Sequence, residues 1–103
     1  MNDHPLQPRL ATVLQDFFCS YLIDQRNLSH HTIVSYRDTF RLLLAYLHDT
    51  RHVKPTALRL ADLDVGLVLG FLRHLEDQRR SSVRTRNVRL AAIRSFAKYA
   101  ALR

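Results

Sequence analysis

The stretch Ser29-His-His-Thr-Ile-Val-Ser-Tyr-Arg-Asp-Thr-Phe-Arg-Leu-Leu-Leu-Ala-Tyr-Leu47 decides the fold class. Its apolar residues Ile33, Tyr36, Phe40, Leu43, Leu44 and Leu47 recur at steps of three and four. At about 100° per residue all six fall within an arc of about 100°, the stripe of a helix with one side on a core. Ser29, just ahead of the stripe, suits an N-cap, because its hydroxyl can accept a backbone N–H of the first turn.

Upstream, Leu10, Val13, Leu14, Phe17, Tyr21 and Leu22 repeat the helical spacing and predict a first helix over roughly 9–25. Residues 1–8 are polar and hold two of the three prolines, so they read as a flexible N-terminal arm, and 9–103 as the helical domain. Downstream, the pattern lapses from Thr50 to Leu60 around Lys54 and Pro55, as a loop crossing the end of a bundle would. Asp62 or Asp64 can cap a third helix carrying Val65, Val68, Leu72 and Leu75. Gly66 and Gly70 weaken that helix by up to about 1 kcal/mol each relative to Ala. Glu76 to Ser81 reads as a turn, and Ser82 caps a fourth helix with core residues Leu90, Ile93, Ala97 and Ala100, flanked by Phe96. The expected fold is all-α, a compact four-helix bundle framed by its long second and fourth helices.

Composition agrees. With 2 Gly and 3 Pro the chain has too few turn residues for an all-β protein. A length of 103 residues allows one modest core and excludes a two-lobed enzyme with an interlobe site. The single cysteine, Cys19, can form no internal disulfide, and no secretory pattern opens the chain, so a cytoplasmic setting is expected. Beside Phe17 and Phe18, Cys19 reads as a buried small hydrophobe rather than a nucleophile. No apolar run approaches the ~18 residues of a membrane span.

Charge is where the sequence speaks of function. The chain has 16 Lys and Arg against 9 Asp and Glu, a net +7. Residues 79–103 hold eight cations and no acid, whereas the first 78 residues hold eight cations and nine acids. The excess therefore belongs to the last quarter of the chain, most of it on the fourth helix. There Arg84, Asn87, Ala91, Arg94 and Lys98 align at steps of three and four, with Val88 and Ser95 beside them. Ordinary solvated helices mix both signs for i,i+4 pairing, and this one does not. Of the 16 cations 14 are Arg, the side chain suited to bidentate phosphate and guanine contacts, and Asn87 is available for an adenine edge. A second surface opens the second helix, where His31, Thr32 and Ser35 sit at the positive end of the helix dipole and Arg37 and Arg41 follow. Thr32 and Ser35 are equally explained by helix-start preference, and Arg37 by pairing with Asp38 or Asp49.

Other chemistries find little support. His30 and His31 are adjacent, His48 and His52 straddle a helix end, and no Cys pair supports zinc, so no metal or other cofactor is implied. There is no Gly-rich phosphate loop, no G-x-S-x-G and no carboxylate pair in an apolar setting. Tyr21, Tyr36 and Tyr46 lie within helices, two of them on or near the apolar stripe, and read as packing residues; Tyr99 lies within the basic helix. A small basic helical module that binds an acidic protein is the alternative to nucleic-acid binding. A membrane-surface helix is disfavoured, since the apolar side of the fourth helix is needed in the bundle.

The stretch from Leu28 to Asp38, with the apolar run to Leu47, resembles the second helix of the SAM-like core-binding domain of tyrosine recombinases, the phage-integrase family. Ser82-Val-Arg-Thr-Arg-Asn-Val-Arg-Leu-Ala-Ala-Ile-Arg-Ser-Phe96 is similar to that domain's fourth helix, with its S-x-x-T, its Leu-x-x-Ile-Arg-x-Phe and an aromatic at Tyr99. A Lys-Pro loop and a short third helix lie between, and the likeness extends over nearly all of the chain after about residue 10. The resemblance implies one half of a C-shaped clamp whose second and fourth helices cross the major groove of a recombination half-site. It places His31, Thr32 and Ser35, and Arg84, Thr85, Asn87 and Arg89, at DNA-touching positions; Arg37, Arg86, Arg94 and Lys98 join them from charge and helix geometry. It further implies two partners besides double-stranded DNA: a C-terminal catalytic domain with the tyrosine nucleophile, and other recombinase protomers in a synaptic tetramer. The chain stops at Arg103, where a linker to that domain would begin, so it is expected to bind DNA for integration or recombination without cutting it.

Overall fold

The computed structural model describes residues 9–25 and 28–102. The expected arm, 1–8, lies outside the described residues. Helix α1 begins as Leu10–Asp16, widens into a π-helical turn at Phe17–Tyr21 and ends as Leu22–Gln25. Helix α2 spans His30–Arg51, α3 Val65–Arg79 and α4 Val83–Leu102. Two 3₁₀ turns, Pro55–Ala57 and Leu60–Asp62, cross between α2 and α3. The fold is thus all-α, with no strand among the described residues beyond an isolated bridge of Arg9 to Arg59. That bridge fixes the start of α1 to the crossing loop, where the Leu10 N–H donates to the Leu58 carbonyl at 3.0 Å.

Local chemistry sets the helix ends. Ser29 Oγ accepts the Thr32 N–H at 3.2 Å, and Ser82 Oγ accepts the Thr85 N–H at 3.1 Å. In both caps the threonine hydroxyl also meets the serine hydroxyl, at 3.0 and 3.1 Å. The two long helices therefore open with the same Ser-x-x-Thr device, which satisfies a backbone donor that would otherwise lack a partner. Of the two candidate caps for α3, Asp64 serves, its Oδ1 accepting the Leu67 N–H at 2.8 Å. Asp62 instead accepts from the Arg59 N–H, also at 2.8 Å, and closes the 3₁₀ turn. Helices α2 and α3 stop at His52 and Arg80, each left-handed with φ of 55° and 48°. The stretch expected as a turn, Glu76 to Ser81, is accordingly helical as far as Arg79 and turns only at Arg80 to Ser82.

Three phenylalanines from three helices form the centre. Phe17 of α1, Phe40 of α2 and Phe96 of α4 are almost wholly buried, with ring centroids 5.2 to 6.5 Å apart and edge-to-face. Phe17 also meets Phe18, Tyr21 and Tyr99. Cys19 is exposed, not buried as expected: two residues beyond Phe17, about half a turn around the helix, it lies on the solvent side.

Two helix faces differ from the spacing-based expectation. In α3 the buried residues are Leu67, Phe71, Leu72 and Leu75, while Val65 is 75% exposed and Val68 only half-buried. Phe71 packs on Tyr46 of α2, with centroids 5.6 Å apart, and a Cβ at Gly70 would lie 3.1 Å from the Tyr46 hydroxyl. The glycine lets the two helices approach closely, and the larger ring takes the core side. In α4 the buried residues are Ala92, Ile93 and Phe96, with Leu90, Tyr99 and Ala100 at the margin. Ala97 is exposed, because Phe96 and not its neighbour lies at the centre.

Candidate nucleic-acid interface

Helices α2 and α4 pack side by side, and the surface along their seam is a chain of three hollows. The first lies among Ser35, Asp38 and Thr39 of α2 and Arg84, Thr85, Val88 and Arg89 of α4. The middle one adds His31, Thr32, Tyr36 and Ala91, and shares Ser35 and Val88 with the first. The third runs from Tyr36 and Tyr21 along Asn87, Ala91, Arg94, Ser95 and Lys98. Shared residues join the three into one trough. Their volumes, about 210, 240 and 410 Å³, are mostly below those of small-ligand pockets, so the trough suits an extended ligand. On the outer side of α2 a further hollow holds Val34, Arg37 and Arg41, joined to the first through Ser35 and Asp38.

Two surfaces read separately along the sequence thus meet. His31, Thr32 and Ser35 line the trough from α2, and Arg84, Thr85, Asn87, Arg89, Arg94 and Lys98 from α4, with Arg37 on its outer flank. Arg86 stands apart. Its Nη1 reaches the two Glu76 carboxylate oxygens at 3.3 and 3.4 Å, an ion pair between α4 and α3 away from the trough. Arg89 has a double position: it lines the first hollow while its Nη1 donates to Ser81 Oγ at 2.7 Å, tying α4 to the turn before it.

The electrostatics of the trough run one way. Arg37, Arg84, Arg94 and Lys98 are exposed, and among the described residues none has a side-chain hydrogen bond or ion pair. Neither pairing considered for Arg37, with Asp38 or Asp49, forms. The first turns of α2 and α4 contain no acid, so the positive ends of both helix dipoles add to the cations instead of being offset. Among the described residues Asp38 is the one acid lining the hollows of the trough.

Tyr36 and Tyr21 pack half-buried against the core, and they also wall the third hollow, a role their helical spacing does not disclose. The signal was their identity: Tyr where an apolar stripe could take Phe keeps a polar end near water. Among the described residues no group of three His, Cys, Asp or Glu could hold a metal ion, and no helix is long and apolar enough to cross a membrane.

The profile of the phage integrase N-terminal SAM-like domain matches residues 15–103. Two proteins of Sinorhizobium fredii that bear the name integrase/recombinase, y4rC and y4rD, are 47% identical over 92 residues and 45% identical over 96. These alignments take in 89% and 93% of this chain but only 28% and 33% of the relatives, so the chain spans about a third of their length. No solved structure gives a significant match.

Proposed function

Because the chain belongs to the phage integrase N-terminal SAM-like domain family, we propose that it grips double-stranded DNA as the core-binding part of a site-specific recombinase, with the α2–α4 trough against the major groove. Phosphate contacts from Arg37, Arg84, Arg94, Lys98 and the capped helix starts supply affinity and register. Arg84, Asn87 and Arg89 read base edges, the guanidinium groups on guanine and the amide on adenine. Strand cleavage belongs to the catalytic domain that such a recombinase carries in addition, and recombination to a synaptic tetramer of the full-length protein. Tyr21, Tyr46 and Tyr99 are held in ring contacts, and no tyrosine here is proposed as the nucleophile.

The observation that carries this reading is the convergence of unpaired cations from α4 with hydroxyls and helix start from α2 on one trough. Replacing Arg84 and Arg94 together by Glu tests it, with duplex binding followed by fluorescence anisotropy. The variant should keep the helical circular dichroism of the wild type and lose DNA binding. Wild-type strength on DNA after both charge reversals would refute the proposal, and loss of helical signal would make the arginines structural.

A further inference from the structure

Val88 is the aliphatic residue of the middle hollow, which it lines with Tyr36 and Ala91 beside the polar His31, Thr32 and Ser35, while the cations lie in the hollows on either side. The residue is 37% exposed, and it belongs to both the first and the middle hollows, which Ser35 also lines. Ala91, one turn on, is exposed beside it and leads into the third hollow. On the α4 wheel Val88 sits at the shoulder between the buried stripe of Ala92 and Phe96 and the cationic stripe of Arg84 and Arg94. Among the groups that base edges present in the major groove, only the C5-methyl of thymine is apolar. The flanking charge selects DNA as the occupant; the position of Val88 between two hollows selects what part of DNA it meets.

We infer that Val88, with Ala91 beside it, receives the C5-methyl group of thymine and so is a specificity-determining residue of this interface, an inference that rests on the DNA-binding reading above. A methyl lifted from water onto this surface should favour a thymine duplex about fourfold over one lacking that methyl, for each methyl received.

The test needs no knowledge of the target site. The 103-residue chain is titrated into two duplexes of alternating sequence, one of adenine and thymine, the other of adenine and uracil, so that the methyl group is the chemical difference. Wild type should bind the thymine duplex about fourfold tighter. Val88→Ser should bind both equally, near the uracil level, with an unchanged salt dependence, and Val88→Ile should keep the preference. Equal binding of the two duplexes by wild type overturns the inference, as does a preference that survives Val88→Ser. The wild-type comparison decides even if a variant fails to fold. Salt-dependent binding that ignores the methyl overturns only the role of Val88, whereas absence of salt-dependent binding to either duplex overturns the DNA reading and this inference with it.

Discussion

Removing the guanidinium of Arg94 should cost the protein one phosphate contact and nothing of its fold. Arg94 is exposed, lines the third hollow and has no side-chain partner among the described residues. Each phosphate neutralised on duplex DNA contributes about −0.9 to the slope of log K against log salt. With phosphate contacts from Arg37, Arg84, Arg94 and Lys98 the wild-type slope should be about −3.6, and Arg94→Ala should bring it to about −2.7. The same coefficient gives a loss of about fivefold in affinity at 0.15 M salt and about fifteenfold at 0.05 M, equal for all sequences. Arg86→Ala is the matched control. It removes the same charge eight residues earlier on the same helix, but from a guanidinium bound to Glu76. Its slope should stay at the wild-type value. The ion pair is about 42–43% exposed on both sides, so its loss costs at most about 1 kcal/mol of stability. Fluorescence anisotropy with one labelled duplex between 0.05 and 0.3 M salt reads both variants. The reasoning fails if Arg86→Ala flattens the slope as much as Arg94→Ala, for then net charge and not the trough governs binding.

Three further perturbations probe the scaffold beneath the trough. Ser82→Ala removes the hydroxyl that caps α4 and should cost about 1 kcal/mol, a fall in Tm of roughly 4–8 °C, with Ser82→Asp recovering most of it. Phe17→Ala empties the place where three helices meet and should cost about 3–5 kcal/mol in a urea titration. His52→Gly relieves a left-handed non-glycine residue at the end of α2; it should raise stability by about 0.5–1 kcal/mol, net of the entropy glycine adds to the unfolded chain. No change, or a loss, in the last case would mean that the His52 side chain holds the α2 terminus by contacts of its own.

How much could be read in advance differs by helix, for physical reasons. Helix α2 was plain because its apolar residues form a single stripe against a polar remainder, and Phe40, Leu43 and Leu47 are indeed buried. Helix α3 was not, since Val65, Leu67, Val68, Leu69, Phe71 and Leu72 leave hardly a side of it polar and periodicity has nothing to choose between. Its orientation is decided by Tyr46 on another helix and the close approach at Gly70. The π turn of α1 escaped because a spacing of four fits Phe17 and Tyr21 in an α-helix as well, and only the ring cluster around Phe17 distinguishes them. The trough was legible as two separate surfaces, from missing acids on α4 and hydroxyls on α2, but their junction is tertiary. Arg86 shows the limit of charge counting: Glu76 lies ten residues earlier on a different helix, and only the packed turn brings them together.

Amide chemical-shift mapping tests the central claim most directly. When duplex DNA is titrated into the isotopically labelled chain, the largest shifts should fall on His31, Thr32, Ser35, Arg84, Asn87, Ala91 and Arg94, along both sides of the α2–α4 seam, and should fade as salt is raised. Shifts gathered instead on the exposed side of α3 around Val65 and Leu69, or no shifts at low salt, would contradict it.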